Sequence, residues 1–146
     1  MDKLIEQMKV VLATTFALYL KTHYFHWNVE GRNFAQDHKF LQKLYEEIYE
    51  SIDAHAEEIR TMEAYAPGSF TRFTALSKVE DELNIPAPME MFKILQADNL
   101  RLIVEMKKAN KMAEEQNAVG LCNFLQDRVD KHYKHDWMLR SILKAK

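Results

Sequence analysis

The stretch His26-Trp27-Asn28-Val29-Glu30-Gly31 lies between two long amphipathic segments and decides how the rest of the chain is interpreted. Downstream of it come His38 and then Asp53 and Glu57, two carboxylates four residues apart. Two imidazoles and two carboxylates form a ligand set that suits iron, manganese or zinc, and carboxylates favour the harder ions. Taken singly, each residue has a plainer interpretation, as a packed histidine or as part of a solvated acidic face. Taken together, they predict a metal site.

Length and composition indicate one ordered, mostly helical protein. The 146 residues are 47% hydrophobic and 29% charged, with only three Gly and three Pro, which argues against a disordered chain. A single cysteine, Cys122, excludes an internal disulfide framework and fits a reducing compartment. No window approaches the ~20 apolar residues of a membrane span, and no secretory signal is evident. We therefore expect one domain, residues 1–146, in the cytoplasm.

Apolar residues at three- and four-residue spacings predict four long helices. They are expected over residues 3–27, 34–65, 89–117 and 121–146. The connection from Ser69 to Pro88 contains one short candidate helix near Arg72–Ser77. Gly31-Arg32-Asn33 and Gly120 mark short joints that force antiparallel hairpins, whereas the long connection can carry the chain across a bundle. An all-α four-helix bundle follows, either with a long crossover between helices two and three or in a plain up-and-down arrangement.

The motif and its register closely resemble those of the Dps family of miniferritins, small ferritin-like cages that oxidise and store iron. The resemblance rests on residues 26–31, Phe34, His38 and the segment Asp53-Ala54-His55-Ala56-Glu57, and residues 132–140 are similar to the family's terminal helix. It covers most of the chain and implies the ferritin-like crossover bundle. Because the candidate ligands occur together in the family's register, metal binding is favoured over the plainer interpretations.

The resemblance also implies an activity, ferroxidase oxidoreduction. Fe²⁺ would bind through four side chains, His26, His38, Asp53 and Glu57. Hydrogen peroxide or, more slowly, dioxygen would accept the electrons, and Fe³⁺ mineral would collect inside a hollow homo-oligomer, a dodecamer, protecting the cell from oxidative damage. Zn²⁺ and Mn²⁺ are other divalent ions that the same site would accept.

Spacing along the second helix independently indicates how such a site must be built. His38 and Asp53 are fifteen residues apart, so about 22 Å apart at 1.5 Å per residue, and His26 lies near His38 beside the first joint. Metal–ligand bonds are only about 2.0–2.2 Å long, so one chain cannot bring both halves to one ion. The halves meet if a second chain packs antiparallel about a two-fold axis near Glu47–Ile48, which creates two equivalent sites.

Two further observations concern the carboxylates. Larger ferritins build an internal di-iron centre from Glu-x-x-His pairs, and this sequence contains no Glu-x-x-His.

Many Dps relatives carry a carboxylate one turn after the second histidine, where this chain has Gln42. A neutral amide is a poorer ligand for a hard cation, so a second, weaker iron position is in doubt. Asp37 is nearby but points about 100° away from His38 on an ideal helix, and we do not expect it to be a ligand.

The remaining candidates have plainer expected roles. Trp27 is expected to be a core or interface aromatic, and the resemblance suggests that it quenches oxidising equivalents near the iron. His23 is expected to support the site indirectly or to face solvent. His132 and His135 are interpreted as packing residues in the last turns of their helix, and Cys122 as a small buried residue without an activating base.

Two alternative functions follow from the same residues. Several relatives protect DNA, typically through flexible basic termini, but this chain enters its first helix at once and its end offers only Arg140, Lys144 and Lys146. A net charge of −2 gives no general attraction for phosphates. DNA binding is therefore a weaker prediction than iron oxidation. The other alternative is a structural cage whose ferroxidase activity Gln42 has slowed or impaired.

Overall fold

A computed structural model describes residues 1–144, which form five α-helices. The helices are α1 (Asp2–Asn28), α2 (Phe34–Thr61), α3 (Phe70–Leu76), α4 (Pro88–Glu115) and α5 (Val119–Leu143). The described residues include no strand. Helix α1 packs against α2 and α4, α4 packs against α5, and the short α3 lies against α1. The predicted all-α class, with four long helices and one short helix in the long connection, is confirmed.

The direction of α4 decides between the two predicted arrangements. Near the start of α1, Gln7 Nε2 donates to Glu105 Oε1 (2.9 Å), and near its end Lys21 Nζ pairs with Asp98 Oδ2 (2.7 Å). Contacts therefore run in opposite order along the two helices, and α1 and α4 are antiparallel. Because α2 is also antiparallel to α1, α2 and α4 run the same way. The connection over residues 62–87 must return along the bundle, so the crossover is confirmed and the up-and-down arrangement is wrong.

Helix α2 ends one turn earlier than the predicted Tyr65. Glu63 adopts a left-handed conformation (φ 63°) directly after the helix. The Glu63 N–H donates to the Arg60 carbonyl (2.9 Å) and the Ala64 N–H to the Ile59 carbonyl (3.4 Å). These two bonds form a Schellman motif, which caps the last carbonyls of a helix. The prediction was wrong because this position usually carries Gly, and a Glu gives no such signal in the sequence.

The joint between α4 and α5 lies before the predicted Gly120. Asn117 takes the left-handed conformation (φ 57°), and the Ala118 N–H donates to the Ala113 carbonyl (2.9 Å). Asn is the residue other than Gly that most readily adopts this conformation. Gly120 instead lies in the first turn of α5. A Schellman motif thus ends both α2 and α4, and neither uses glycine.

Apolar side chains from all four long helices form one core between them. The largest fully buried members include Leu4, Met8, Leu12, Leu18, Phe25, Leu41, Ile48, Ile59, Met91, Phe92, Leu95 and Leu102. Burial of such side chains stabilises the fold by about 1.5–3 kcal/mol each. None of the helices in residues 1–144 combines the length and apolar character needed to cross a membrane.

Candidate metal centre

The joint between α1 and α2 places the two candidate histidines opposite each other. The Val29 N–H donates to the Phe25 carbonyl (2.9 Å) and Val29 itself is extended, which ends α1. Gly31 follows with φ 126°, a conformation that side-chain-bearing residues rarely adopt. Helix α2 begins three residues later, so His26 in the last turn of α1 faces His38 in the second turn of α2.

Each of these two histidines is held by the backbone of the other. His26 Nδ1 donates to the His38 carbonyl (2.7 Å), and His38 Nδ1 donates to the His26 carbonyl (2.8 Å). A carbonyl oxygen can only accept a hydrogen bond, so Nδ1 carries the proton in both rings. In the neutral imidazole, the lone pair then lies on Nε2. Hydrogen bonding at one ring nitrogen is what orients a histidine for metal ligation through the other.

The two rings form a compact pair on the edge of the core. Their centroids are 3.7 Å apart and their planes differ by 17°. His26 is only 7% exposed and His38 is half-buried. Phe34 lies 4.9 Å from the His38 ring and Tyr45 lies 5.1 Å from the His26 ring. The pair is therefore oriented by hydrogen bonds and shielded on its flanks by aromatic rings.

Asp53 and Glu57 lie far from this pair along α2. Both side chains are exposed and share one face of the helix. No ion pair within residues 1–144 involves either of them. An exposed pair of carboxylates without a cation is free to take part in a site that another molecule completes.

One subunit does not bring the four predicted ligands together. Nowhere in residues 1–144 do three His, Cys, Asp or Glu side chains converge as a metal site would require. The structure places His26 beside His38, and it places Asp53 and Glu57 elsewhere on α2. The prediction that the two halves meet between subunits stays a prediction.

An aromatic cluster surrounds the histidine pair on the α1–α2 face. His23 stacks on Tyr45 (centroids 3.8 Å apart), and its Nδ1 is hydrogen bonded to the Tyr19 hydroxyl (2.9 Å). Burial and the neighbouring His26 lower the pKa of His23, against an opposing effect of the Glu46 carboxylate. Trp27 lies 4.2 Å from the His23 ring but is 57% exposed. The core position considered for Trp27 is therefore wrong, and the interface position remains a prediction.

Gln42, which stands where many Dps relatives carry a carboxylate, is hydrogen bonded within its own helix. Its Nε2 donates to Glu46 Oε2 at 3.1 Å, one turn further along α2.

Asp37, which we did not expect to be a ligand, lies in a different environment. It lines a groove of about 830 Å³ with Phe92 from α4 and Trp137 from α5. Burial raises the pKa of the Asp37 carboxyl group.

A second polar group of side chains, which we did not predict from the sequence, lies inside the bundle. We call it the bundle-centre cluster, and its members are Glu47, Asn99, Arg128, His132 and His135. His132 and His135 are 0% and 5% exposed and lie well before the end of α5. Their predicted position in the last turns was wrong, although the predicted packing role is confirmed.

Arg128 already neutralises the carboxylate of the bundle-centre cluster. Its guanidinium donates to both oxygens of Glu47, with Nη2 3.0 Å from Oε1, and His135 Nε2 donates to the same Oε1 (2.7 Å). Burial alone would raise the pKa of Glu47, but the hydrogen bonds and charges of His135 and Arg128 hold it well below its usual range. Glu47 is therefore a paired carboxylate and not a free ligand.

His132 uses both of its ring nitrogens within the protein. Asn99 Nδ2 donates to the His132 carbonyl (2.8 Å), which orients the amide so that Asn99 Oδ1 accepts from His132 Nδ1 (2.7 Å). His132 Nε2 then accepts from Arg128 Nη2 (3.0 Å). Burial, followed by the charge of Arg128, lowers the pKa of His132 well below its ordinary 6.5. No lone pair remains on this ring for a metal.

His55 lies between two candidate ligands in sequence but faces the opposite way. Its ring is fully buried and packs edge-on against Phe124 (4.9 Å). Neither ring nitrogen has a hydrogen-bond partner among the described residues. Burial, with a smaller contribution from Arg128, lowers the pKa of His55 to about 3. This histidine is therefore neutral inside the fold.

A sequence signal for the buried cluster exists but is weak. Glu47, Ser51 and His55 recur at four-residue steps, as do Arg128 and His132, which is the spacing of one helix face. The same spacing also describes a solvated polar face, and only the packing of the helices distinguishes the two.

Comparison with known proteins agrees with this architecture. A family model described as a ferritin-like domain matches residues 5–145. A low-temperature-induced protein of Nostoc sp. is 31% identical over 136 residues, which cover 92% of this chain and 76% of that protein. The DNA protection during starvation protein of Helicobacter pylori is 28% identical, covering 97% of this chain and 99% of its own length. The crystal structure of a Dps protein from Bacillus brevis superposes with a TM-score of 0.93 at 26% identity, over 98% of this chain and 96% of that one.

Proposed function

Because this chain belongs to the Dps family of ferritin-like proteins, we propose that it is an iron-binding miniferritin with ferroxidase activity. It oxidises Fe²⁺ at sites shared between subunits and stores ferric iron inside a hollow homo-oligomeric cage, a dodecamer in the cytoplasm. Residues 1–146 act as one domain in this cage. Removing free Fe²⁺ and peroxide together protects the cell from oxidative damage.

The observation that carries this proposal is the reciprocal hydrogen bonding of His26 and His38. Both rings present Nε2 as a lone-pair donor from adjacent, shielded positions. His132 differs, because both of its ring nitrogens are hydrogen bonded within the protein. Two preoriented imidazoles suit Fe²⁺, and Zn²⁺ or Mn²⁺ would be accepted in the same way.

The second half of each site comes from Asp53 and Glu57 of another subunit. Both carboxylates are exposed and lack an ion-pair partner within residues 1–144. An antiparallel neighbour related by a two-fold axis near Glu47–Ile48 would place them opposite the histidine pair, once on each side of the axis. The two negative charges would then offset the charge of the bound cation, which two neutral imidazoles cannot do.

The reaction moves electrons from iron to an oxidant. Hydrogen peroxide takes up two electrons and two protons to become two water molecules, and each Fe²⁺ gives one electron as it becomes Fe³⁺. Dioxygen is the slower alternative oxidant. The protein's contribution is to hold iron where the oxidant reaches it and to stabilise the higher charge of Fe³⁺ with carboxylates.

Co-assembly of two variants tests the shared site directly. Subunits carrying His26→Ala and subunits carrying Asp53→Ala are unfolded together in equal amounts and reassembled. About half of the random two-fold pairs then contain one of each, every such pair has one intact site, and roughly a quarter of all sites recover. Anaerobic titration with Fe²⁺ measures the recovery. No recovery, or unchanged affinity in both separate variants, would contradict the proposal.

DNA binding is the second candidate, and the name of the Helicobacter pylori relative is what favours it. Of the basic residues near the end of the chain, Arg140 pairs with Asp136 (2.7 Å) and Lys144 is exposed, while Lys146 lies outside the described residues. Affinity for DNA depends on neutralised phosphates and falls steeply with salt. A gel shift at low and moderate salt separates this role from iron oxidation, and we expect no shift at moderate salt.

A further inference from the structure

Hydrogen peroxide needs two electrons, and one Fe²⁺ at the site proposed above supplies only one. That first electron yields Fe³⁺, hydroxide and a hydroxyl radical. The radical becomes a second hydroxide only if another donor gives it an electron before it escapes. An oxidisable side chain close to the histidine pair therefore decides whether a site that holds one iron releases a radical.

Tyr19 is hydrogen bonded to an imidazole close to that pair. Its hydroxyl oxygen lies 2.9 Å from His23 Nδ1, and the ring centroid of His23 lies 5.8 Å from that of His26. A base takes a proton directly when the two heavy atoms are about 2.6–3.2 Å apart. The Tyr19–His23 pair thus combines an oxidisable phenol with a base within reach of its proton.

The proton of this hydrogen bond belongs to Tyr19. Burial, followed by the neighbouring phenols of Tyr49 and Tyr45, raises the pKa of the Tyr19 hydroxyl group, so the phenol is protonated near neutral pH. Burial lowers the pKa of His23, so its imidazole is neutral there and one ring nitrogen carries a lone pair. A phenol is the stronger donor and an imidazole nitrogen the stronger acceptor, so Tyr19 donates to Nδ1.

Stacked rings connect this pair to the candidate iron ligands. The ring centroid of Tyr45 lies 3.8 Å from that of His23, with the planes 13° apart, and 5.1 Å from that of His26. Aromatic rings are in contact at centroid separations up to about 7 Å. An electron from Tyr19 can therefore reach the iron side of the cluster through contacts between rings.

Trp27 is the other oxidisable ring beside His23, and it lacks the same support. Its centroid lies 4.2 Å from that of His23, but within residues 1–144 the hydrogen bond of His23 Nδ1 goes to Tyr19. Trp27 is also 57% exposed, so an oxidised indole would lose its proton to water, which is a far weaker base than imidazole. Proton transfer therefore favours oxidation of Tyr19.

We propose that Tyr19 gives hydrogen peroxide its second electron and that His23 accepts the phenolic proton. This inference rests on the proposed function and deepens it. The hydroxyl radical takes the electron and becomes hydroxide, the O–H bond of Tyr19 breaks, and its proton forms an N–H bond at His23 Nδ1. A later Fe²⁺ gives an electron to the tyrosyl radical, and the proton returns to Tyr19. One iron at a time then completes the two-electron reduction, and no radical leaves the protein.

Electron paramagnetic resonance on the assembled cage tests this role. The cage is loaded without oxygen with one Fe²⁺ per histidine pair, mixed with peroxide and frozen. The natural protein should show a tyrosyl radical, and Tyr19→Phe should lose it. His23→Gln retains a hydrogen-bond acceptor but no base, and it should slow formation of the radical by about 100-fold or more, the usual contribution of a general base.

Tyr24→Phe is the matched control. Tyr24 is a half-buried tyrosine on the same helix, but its hydroxyl donates to the Asn84 carbonyl (2.7 Å), which is too weak a base to take the proton. This variant should keep the radical signal of the natural protein. Spin trapping should detect more hydroxyl radical from Tyr19→Phe than from Tyr24→Phe.

Other outcomes distinguish this inference from the proposed function. An undiminished tyrosyl signal in Tyr19→Phe, an indole radical in its place in the natural protein, equal losses in the two phenylalanine variants, or iron oxidation without a protein radical would overturn the role of Tyr19 while leaving the iron site intact. Absence of Fe²⁺ binding in the natural protein would overturn both proposals. Circular dichroism, size-exclusion chromatography and anaerobic Fe²⁺ titration verify that each variant folds, assembles and binds iron.

Discussion

The α1–α2 joint and the bundle centre each hold two histidines in contact, yet they are suited to different tasks. At the joint, His26 and His38 each donate a hydrogen bond from Nδ1 to a backbone carbonyl, which leaves Nε2 available as a lone-pair donor. At the bundle centre, both nitrogens of His132 are hydrogen bonded, and His135 Nε2 donates to a carboxylate that Arg128 already neutralises. The buried His135 Nδ1 has no partner among the described residues. Similar residue types therefore form one half of a candidate cation site in one place and an internal ion-pair network in the other. The difference lies in which groups receive the hydrogen bonds and whether a cation is already present.

Removal of Arg128 should disrupt the bundle-centre cluster, and we expect this substitution to have the largest effect on stability. Arg128→Leu leaves Glu47 without its main partner, and loss of one member of a buried pair costs about 3 kcal/mol when the other is partly exposed, as Glu47 is. Urea unfolding measures the change. Lys9→Leu is the control, because its ion-pair partner Glu6 is exposed to solvent, and its loss should cost less than about 1 kcal/mol. Equal losses would mean that the bundle centre stabilises no more than the surface does.

Substitution of His26 at the joint should affect metal binding, whereas substitution of His132 at the bundle centre should not. His26→Ala should weaken binding of the first Fe²⁺ by more than the ~10- to 100-fold that loss of a ligand's supporting hydrogen bond costs. His132→Ala should leave that affinity unchanged while lowering the free energy of unfolding, because Asn99 and Arg128 lose a partner. Anaerobic calorimetry and urea unfolding on both variants give the two quantities. If His132→Ala weakened iron binding as strongly as His26→Ala, the two regions would not be independent.

The buried neutral His55 should make the metal-free protein sensitive to acid. The pKa of His55 is about 3 in the fold against an ordinary 6.5, so between these values the unfolded chain binds a proton that the folded chain does not. Stability from this group is complete above pH 6.5 and is lost as the pH falls, by about 2 kcal/mol at pH 5. His55→Leu should abolish this part of the loss. Unfolding at pH 5 and 7.5 measures it, and an identical pH dependence in both proteins would contradict it.

The smallest expected effect comes from introducing a carboxylate at position 42, one turn after His38. Gln42→Glu should strengthen the second Fe²⁺ position and speed oxidation by peroxide, because added negative charge favours a hard divalent cation. We expect a gain below about ten-fold, or 1.4 kcal/mol, since the histidine pair and the two carboxylates of the neighbouring subunit would provide most of the attraction for iron. Gln42→Asp tests whether a shorter side chain still reaches. Anaerobic titration and stopped-flow oxidation measure both effects, and an absence of change in both variants would mean that position 42 does not contact the second ion.

The sequence by itself determined the helices, the family and the candidate ligands. Apolar spacing is local information, so α1, α2, α4 and α5 were predicted to within a turn, and the errors at Tyr65 and Gly120 arose where Glu63 and Asn117 adopt a conformation more typical of glycine. The register of residues 26–57 likewise carried the ligand prediction and the ~22 Å separation that one chain cannot close.

Only the tertiary structure decided what the polar residues do. Whether α2 and α4 run the same way depends on contacts such as that between Lys21 and Asp98, which are far apart in sequence. The free nitrogen of His26 follows from a carbonyl on another helix, and the closed state of His132 follows from Asn99 and Arg128. A histidine's role is set by the atoms around its two nitrogens, and those atoms are brought there by packing.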